Sequence, residues 1–217
     1  MKKSIIVLGA GGYAGVLLDI LVRQSYHIFG VTSLDPDNTS KYNLFGVPVL
    51  GKDDKVLNYG INSICLVNGV GMMPGKNTRC RLYKKFRDFG YTFTRVIHSS
   101  AILAANAKLA EGVQVMAGAV IQTGVMIGEN TIINTRVAVD HDSNIGKHVH
   151  LAPGTTISGD VAIGEGTFVG AGSTIIQGIQ ISGHCVIAAG SVVTRDVPEG
   201  ATVMGVPARI KPAPGRN

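Results

Sequence analysis

From residue 97 the apolar positions of the chain fall on a fixed beat. Ile97, Leu103, Leu109, Val115, Ile121, Ile127, Ile133, Val139, Ile145, Leu151, Ile157, Ile163, Val169, Ile175, Ile181, Ile187 and Val193 recur at every sixth residue, seventeen blocks without an insertion. Four residues after each stands a small or β-branched residue, among them Ala101, Val113, Thr131, Ser143, Thr155 and Ser173. Gly, Asn and Asp gather between these rows, where a chain has to turn. A period of six fits neither the helical repeat of about 3.6 nor the strand repeat of about 2. It predicts a parallel β-helix in which three short sides and three turns make one coil. Seventeen blocks give just under six coils, stacked at roughly 4.8 Å. The Ile/Leu/Val row fills the interior, and the small residues fit beside it at the corners.

The first 95 residues lack that beat. Lys3–Gly9 reads as a buried strand, followed by Gly9-Ala10-Gly11-Gly12-Tyr13-Ala14-Gly15 and an apolar helix over Val16–Val22. Strand, Gly-rich turn and helix open a Rossmann-like βαβ unit. Gly9, Gly11 and Ala14 fit G-x-G-x-x-A, although a tight turn that needs Gly for positive φ has the same spelling. Further strands are expected at Ile28–Thr32, Ser63–Asn68 and Thr92–Ile97, with a basic helix at Asn77–Asp88. Asp35 loosely matches the acidic residue that a dinucleotide site wants after its second strand. Ninety-five residues are few for that role, so a single nucleotide is the better expectation. Lys76 and Arg79 open the basic helix after the Gly69–Gly75 loop, where free N–H groups can take phosphate. Two domains follow, a Rossmann-like one over 1–95 and an all-β one over 96–217.

Charge sharpens this division. Residues 1–96 hold 13 Lys and Arg against 6 Asp and Glu, and residues 97–217 hold 7 against 8. Six of the cations lie between Lys76 and Arg87, either as a solvated helix face or as an attraction for a phosphorylated ligand. No nucleic-acid-binding motif accompanies them. No window approaches the 18 or so uninterrupted apolar residues of a spanning helix. The run Ile5-Ile6-Val7-Leu8 is too short for a signal peptide. Cys65, Cys80 and Cys185 are too widely spaced for a disulfide framework or a zinc site. A soluble cytoplasmic protein that binds neither membrane nor nucleic acid is expected.

With its unbroken six-residue blocks and the ending Gly205-Val206-Pro207-Ala208-Arg209, the C-terminal half resembles the hexapeptide acyltransferases. That resemblance implies a left-handed β-helix, a homotrimer and active sites between neighbouring prisms. A small Rossmann-like domain joined to such a helix through Val96-Ile97-His98-Ser99-Ser100-Ala101 is similar to the sugar acyltransferases of bacterial surface glycans. These include the N-acetyltransferases of nucleotide-linked 4-amino-4,6-dideoxysugars, of the perosamine and bacillosamine type, and the sialic acid O-acetyltransferases. The likeness covers nearly the whole chain. It implies an acetyl-CoA-dependent N-acetyltransferase of lipopolysaccharide or O-antigen synthesis, whose N-terminal domain holds the nucleotide of the acceptor.

Amide formation from a thioester needs a base for the amine proton and a donor for the tetrahedral oxyanion. The block Ala138-Val139-Asp140-His141-Asp142-Ser143 sets a His between two carboxylates at turn positions that elsewhere hold small or neutral residues. A nearby carboxylate favours imidazolium and makes a stronger base. The resemblance assigns the base to His141 and its support to Asp142, with Asp140 a weaker candidate. A surface turn in which Asp and His are merely comfortable fits the same residues. Positions three blocks apart should stack, which puts Gly159 one coil after His141 and Thr123 one coil before it. Gly159 is therefore the oxyanion candidate.

By the same resemblance, His150, Ala171 and Ala189 contact acetyl-CoA, although His150 reads equally as a solvent-exposed turn residue. Arg195, Arg209 and Lys211 are either partners of the CoA phosphates or solvated tail charges. Gly11, Gly12, Tyr13, Asp35 and Gly69 line the acceptor site. Asn134 either orients the acceptor amine or simply forms a turn. The chain departs from the family in two places. Tyr13 stands where a His is common, and Gly71-Met72-Met73-Pro74-Gly75 is longer and more apolar than the usual loop. O-acetylation of a sialic acid or another sugar hydroxyl uses the same Asp-His-Asp block. A zinc-bearing, carbonic-anhydrase-like trimer would need stacked His, whereas His141, His148 and His150 fall at three different block positions, so no metal is expected. A non-catalytic scaffold is the remaining reading.

Overall fold

The computed structural model describes residues 3–35 and 45–211. The chain divides into two compact units, Met1–Ser99 and Ser100–Asn217.

In the first unit, three parallel strands, β1 (Ser4–Leu8), β2 (Ile28–Val31) and β3 (Ile64–Asn68), form a sheet in the order β2-β1-β3. Ile5, Ile6, Val7 and Leu8 are all buried, as suits a parallel strand covered on both faces. Helix α1 (Gly12–Arg23) buries Ala14, Leu17, Leu18, Ile20 and Leu21. Helix α2 (Thr78–Asp88) sends Tyr83 and Phe86 into a core shared with Ile6, Leu66, Tyr91 and Phe93. α1 starts earlier than the apolar pattern predicts, because the second half of the Gly-rich segment is already helical. The Thr92–Ile97 strand is corrected. Its alternation is strand-like, but only Phe93 bridges to Leu66, and Val96–Ile97 is a separate two-residue strand outside that sheet. Two features carry no apolar signature: the 3₁₀ helix Asp53–Asn58 and the bridge from Val49 to Val31. In the order β2-β1-β3 the chain leaves β1 toward β2 and leaves β3 toward the Phe93 bridge on Leu66, and such a switch point at the strands' carboxyl ends is where open α/β sheets bind ligands.

The second unit is a β-helix of two-residue strands on three faces. The first face stacks six strands from Ile102–Leu103 to Val192–Val193, and the second stacks five from Lys108–Leu109 to Gln180–Ile181. The third runs from Gln114–Val115 to Val186–Ile187 and is extended by Thr202–Gly205 and Ala208–Ile210. Each strand pairs in parallel with the one three blocks further along, as Ala138 does with Thr156 and His150 with Phe168. From Val115 to Val193 no member of the aliphatic row is more than 3% exposed.

The corners explain the beat. From Gly112 to Gly190 every sixth residue has φ between +56° and +75°. Six of these places carry a side chain: Asn130, Arg136, Asp142, His148, Asp160 and His184. The small row has a second task. Ser143 Oγ donates to Ser158 O at 3.0 Å and accepts from Val161 N at 3.2 Å, and Thr167 does the same for Ser182 and Cys185. These hydroxyls tie successive coils at the turns, where backbone ladders are interrupted. Among the described residues no helix is long and apolar enough to cross a membrane.

Ile145 is fully buried and Asn144, one residue earlier, is exposed. Ile145→Ala should cost about 2–5 kcal/mol, and Asn144→Ala less than about 0.5 kcal/mol, measured by denaturation. Equal losses would contradict the inward row.

Candidate active site

His141 sits at the corner between the first and second faces. Its Nδ1 lies 2.9 Å from Asp142 Oδ2. With the proton on Nδ1 donated to that carboxylate, Nε2 presents its lone pair to the outside. The imidazole is 46% exposed, so a substrate can reach it. The backbone around it is held on three sides. His141 N donates to Asp140 Oδ1 at 2.8 Å, Asp160 N donates to His141 O at 2.9 Å, and Asp142 N donates to Thr123 O at 3.0 Å.

The hydrogen bond to Asp142 raises the His141 pKa above the ordinary histidine value. Partial desolvation opposes it, and the charges of Asp140, Asp142 and Asp160 add to the rise. Asp160 was not singled out in the sequence. The signal was available, because Asp160 follows Asp142 by one full coil in the same corner column.

Gly159 lies directly against the ring. A Cβ placed there would come within 2.6 Å of His141 Nε2 and 2.7 Å of Cε1. Any side chain would displace the imidazole. Ser158 N and Asp160 N both donate to backbone carbonyls, whereas the buried Gly159 N–H has no acceptor among the described residues. A base nitrogen and an open N–H donor therefore meet at one corner.

The other residues assigned to this chemistry lie elsewhere on the same prism. His150 is in a strand of the third face, only 9% exposed, 3.2 Å from Asn134 Nδ2 and edge-on to Phe168. The solvent-exposed turn reading of His150 is thus corrected. Asn134 also accepts from Thr135 N at 2.8 Å, so it does shape a turn. Ala171 and Ala189 are exposed and stacked at the corner between the third and first faces. Within one chain this group and His141 occupy different corners. Arg195, Arg209 and Lys211 are exposed. Among the described residues no three His, Cys, Asp or Glu are gathered as a metal site would require.

The first unit contains a cleft of about 710 Å³ at the carboxyl ends of β1 and β3. Gly9–Tyr13, Ser33–Asp35, Asp53, Gly69–Gly71, Thr78, Arg81, Leu82 and Lys85 line it. All five first-unit residues expected at the acceptor site, Gly11, Gly12, Tyr13, Asp35 and Gly69, are therefore on its wall. Nothing lies within 4 Å of a Cβ built at Gly11 or Gly12, so the start of α1 opens onto the cleft. Gly69 has a packing reason as well. A Cβ there would meet Leu8 O at 2.7 Å and Ala14 Cβ at 2.9 Å.

The cations of the cleft differ from those expected. Arg79 is only 3% exposed, and its guanidinium donates to Asn68 O at 2.9 Å and Val70 O at 2.7 Å. It locks the Gly69 loop to α2 rather than meeting phosphate. Burial lowers its pKa to about 10, with Tyr13 acting against that shift. Lys76 is exposed and lies outside the lining. Arg81 and Lys85, one helical turn apart on α2, face the cleft instead. Burial also pushes the Tyr13 phenol above its ordinary pKa, so it stays a neutral hydrogen-bonding group. Asp53, which sequence reasoning missed, accepts from Thr32 Oγ1, and that oxygen in turn accepts from Gly9 N at 3.0 Å.

Comparisons with known proteins match these two units. Residues 4–86 fit the PglD N-terminal domain, residues 142–177 the bacterial transferase hexapeptide (six repeats), and residues 160–195 the hexapeptide repeat of succinyl-transferase. A variant of perosamine N-acetyltransferase from Caulobacter crescentus, solved with CoA and GDP-perosamine, is 33% identical. It matches over 98% of this chain and 99% of its own, with a TM-score of 0.89. The acetyltransferase domain of PglB from Neisseria gonorrhoeae, in complex with acetyl coenzyme A, is 28% identical over 97% of this chain and 100% of its own, with a TM-score of 0.88. WeeI from Acinetobacter baumannii, at 23% identity, 96% and 100% coverage and a TM-score of 0.80, shares the fold.

Asp142→Asn should lower the pH at which the His141 imidazole titrates, followed by NMR, because the largest cause of its raised pKa is removed. An unmoved titration would show that the Asp142 contact does not govern the imidazole.

Proposed function

The chain belongs to the hexapeptide-repeat sugar acyltransferases, and on that premise we propose that it moves the acetyl group of acetyl-CoA to the 4-amino group of a nucleotide-linked 4-amino-4,6-dideoxysugar. The observation that carries this reading is the His141–Asp142 pair lying against the bare backbone of Gly159.

The chemistry follows from that corner. The amine attacks the thioester carbonyl carbon, and the new C–N bond leaves a tetrahedral oxyanion. Gly159 N–H donates to it, a type of contact that stabilises the transition state more than the ground state. His141 Nε2 takes the ammonium proton, and Asp142 steadies the imidazolium. As the C–S bond breaks, the proton passes to the departing CoA thiolate, which restores neutral His141. The products are the N-acetyl sugar and CoA.

Acetyl-CoA is read along His150, Ala171 and Ala189, with Asn134 orienting the acceptor amine. One prism carries these and His141 at different corners, which supports a homotrimer in which a neighbouring copy completes each site. The nucleotide belongs in the first-unit cleft, its phosphates toward Arg81, Lys85 and the open start of α1. The reading includes a cytoplasmic location, where acetyl-CoA is available, and a use in bacterial surface-glycan synthesis.

His141→Ala should lower kcat by about 10²–10⁴-fold, the usual worth of a general base, and leave acetyl-CoA affinity nearly intact. Unchanged kcat would sink the assignment. Arg81→Ala and Lys85→Ala should raise KM for the nucleotide sugar without raising that for acetyl-CoA. A panel of nucleotide sugars and free sugars with acetyl-CoA, read by mass spectrometry and hydroxylamine lability, should give a stable amide. A labile ester on a sugar hydroxyl would replace N- by O-acetylation.

A further inference from the structure

We propose that Gly124 and Asn106 are positioning residues for the catalytic pair: Gly124 provides the bare seat on which the Asp142 carboxylate rests, and Asn106 fixes that seat. The inference builds on the reading of His141 as the base.

Gly124 precedes Asp142 by one full coil in the same corner column. A Cβ built on it would collide with Asp142 Oδ1 and stand 3.3 Å from Cγ and 3.4 Å from Cα. The carboxylate thus rests against backbone that has no side chain, and in that pose its other oxygen reaches His141 Nδ1 at 2.9 Å. The Asp142 backbone is seated on the same dipeptide, through its N–H to Thr123 O at 3.0 Å.

The dipeptide is itself pinned from the preceding coil. Asn106 Oδ1 accepts from Thr123 Oγ1 at 2.9 Å and from Gly124 N at 3.3 Å. A chain of placement therefore runs through four coils, from Asn106 to Thr123–Gly124, to His141–Asp142, and on to Gly159 against the imidazole. Asn106, Thr123 and Gly124 do not touch the reacting atoms. They act by setting where one carboxylate oxygen stands.

Positive φ alone does not explain Gly124. Gly178 occupies the same corner column at φ +75°, against +74° for Gly124, and a Cβ there meets nothing within 4 Å. The two positions share the backbone demand for glycine and differ in the carboxylate. Gly178→Ala is thus a matched control for backbone strain.

The test compares Gly124→Ala, Asn106→Ala and Gly178→Ala by the NMR titration of His141, the pH profile of kcat, and thermal stability. The charged groups around that imidazole are Asp140, Asp142 and Asp160, and only the Asp142 contact is displaced. Gly124→Ala should move the His141 titration and the acid limb of kcat to lower pH, with a loss in kcat on the order of tenfold, less than removal of a general base. Asn106→Ala should shift both in the same direction by less. Gly178→Ala should lose similar thermal stability and keep both at their wild-type positions. Adding Asp142→Asn to Gly124→Ala should change the titration no further than Asp142→Asn alone, since both act on one contact.

A wild-type His141 titration in Gly124→Ala, or a shift that adds fully to that of Asp142→Asn, overturns the proposal. If Gly124→Ala does not fold, Asn106→Ala decides it, and an unmoved titration there is the overturning result. The titration does not depend on turnover. An active His141→Ala would therefore refute the catalytic reading, whereas an inactive one with an unshifted Gly124→Ala would refute only this inference.

Discussion

From Gly112 to Gly190 every sixth residue of the β-helix takes the left-handed backbone conformation, and the rest of the unit depends on that constraint. A left-handed turn costs an ordinary L-residue roughly 1–2 kcal/mol, so glycine holds most of the corners from Gly112 to Gly190. Since each corner consumes one such residue, every side has the same length and every coil the same three sides. Strands therefore stack in one register over the whole unit, Ala138 on Thr156 and Asn144 on Ala162 alike. Aliphatic residues then line a continuous interior, and corner hydroxyls such as Ser143 and Thr167 join coil to coil. An insertion inside a block would shift every contact after it.

The proposed active corner depends on the same register. Asp142 accepts the strained corner conformation at φ +58°, which Asp tolerates better than most residues. The strain places its carboxylate beside the imidazole of its own neighbour. Register then brings Gly159 against the ring from the following coil. Two coils, fixed by the same ladders that fix the fold, hold the proposed base and donor.

This explains which parts of the protein were legible in the sequence. Periodicity revealed the β-helix, and the acidic block around His141 stood out against a repetitive background. Counting coil by coil led to Gly159. The role of Asp160 could be reached by the same count, but its carboxylate matters only through a charge that acts across coils. The burial of His150 was not legible, because an outward strand position says nothing about what covers it. In the first unit no repeat exists to count. Its cleft draws on five separated segments, and Arg79 looks in sequence like its exposed neighbours Arg81 and Lys85. Only packing shows that Arg79 serves the loop while the others face the cleft. Asp53 was hidden for the same reason, lying in a 3₁₀ turn without an apolar signature.

The carboxylates around His141 act in two opposed ways. With His141 as the proposed base, a raised imidazole pKa strengthens its hold on an abstracted proton and also keeps more of the free enzyme in the protonated, inactive form at a given pH. A general base works best when its pKa lies near the operating pH, so a stronger field would not give an unlimited gain. The geometry moderates it. The imidazole is 46% exposed and Asp142 67% exposed, and water screens the charges of Asp140 and Asp160 more than it weakens a direct hydrogen bond. The aligned Nδ1–carboxylate contact is accordingly the largest cause of the raised pKa. It also fixes the tautomer, which a diffuse negative field cannot do. Orientation and proton affinity thus come from one contact at a solvent-facing corner, and the β-helix register controls both by controlling where that carboxylate rests.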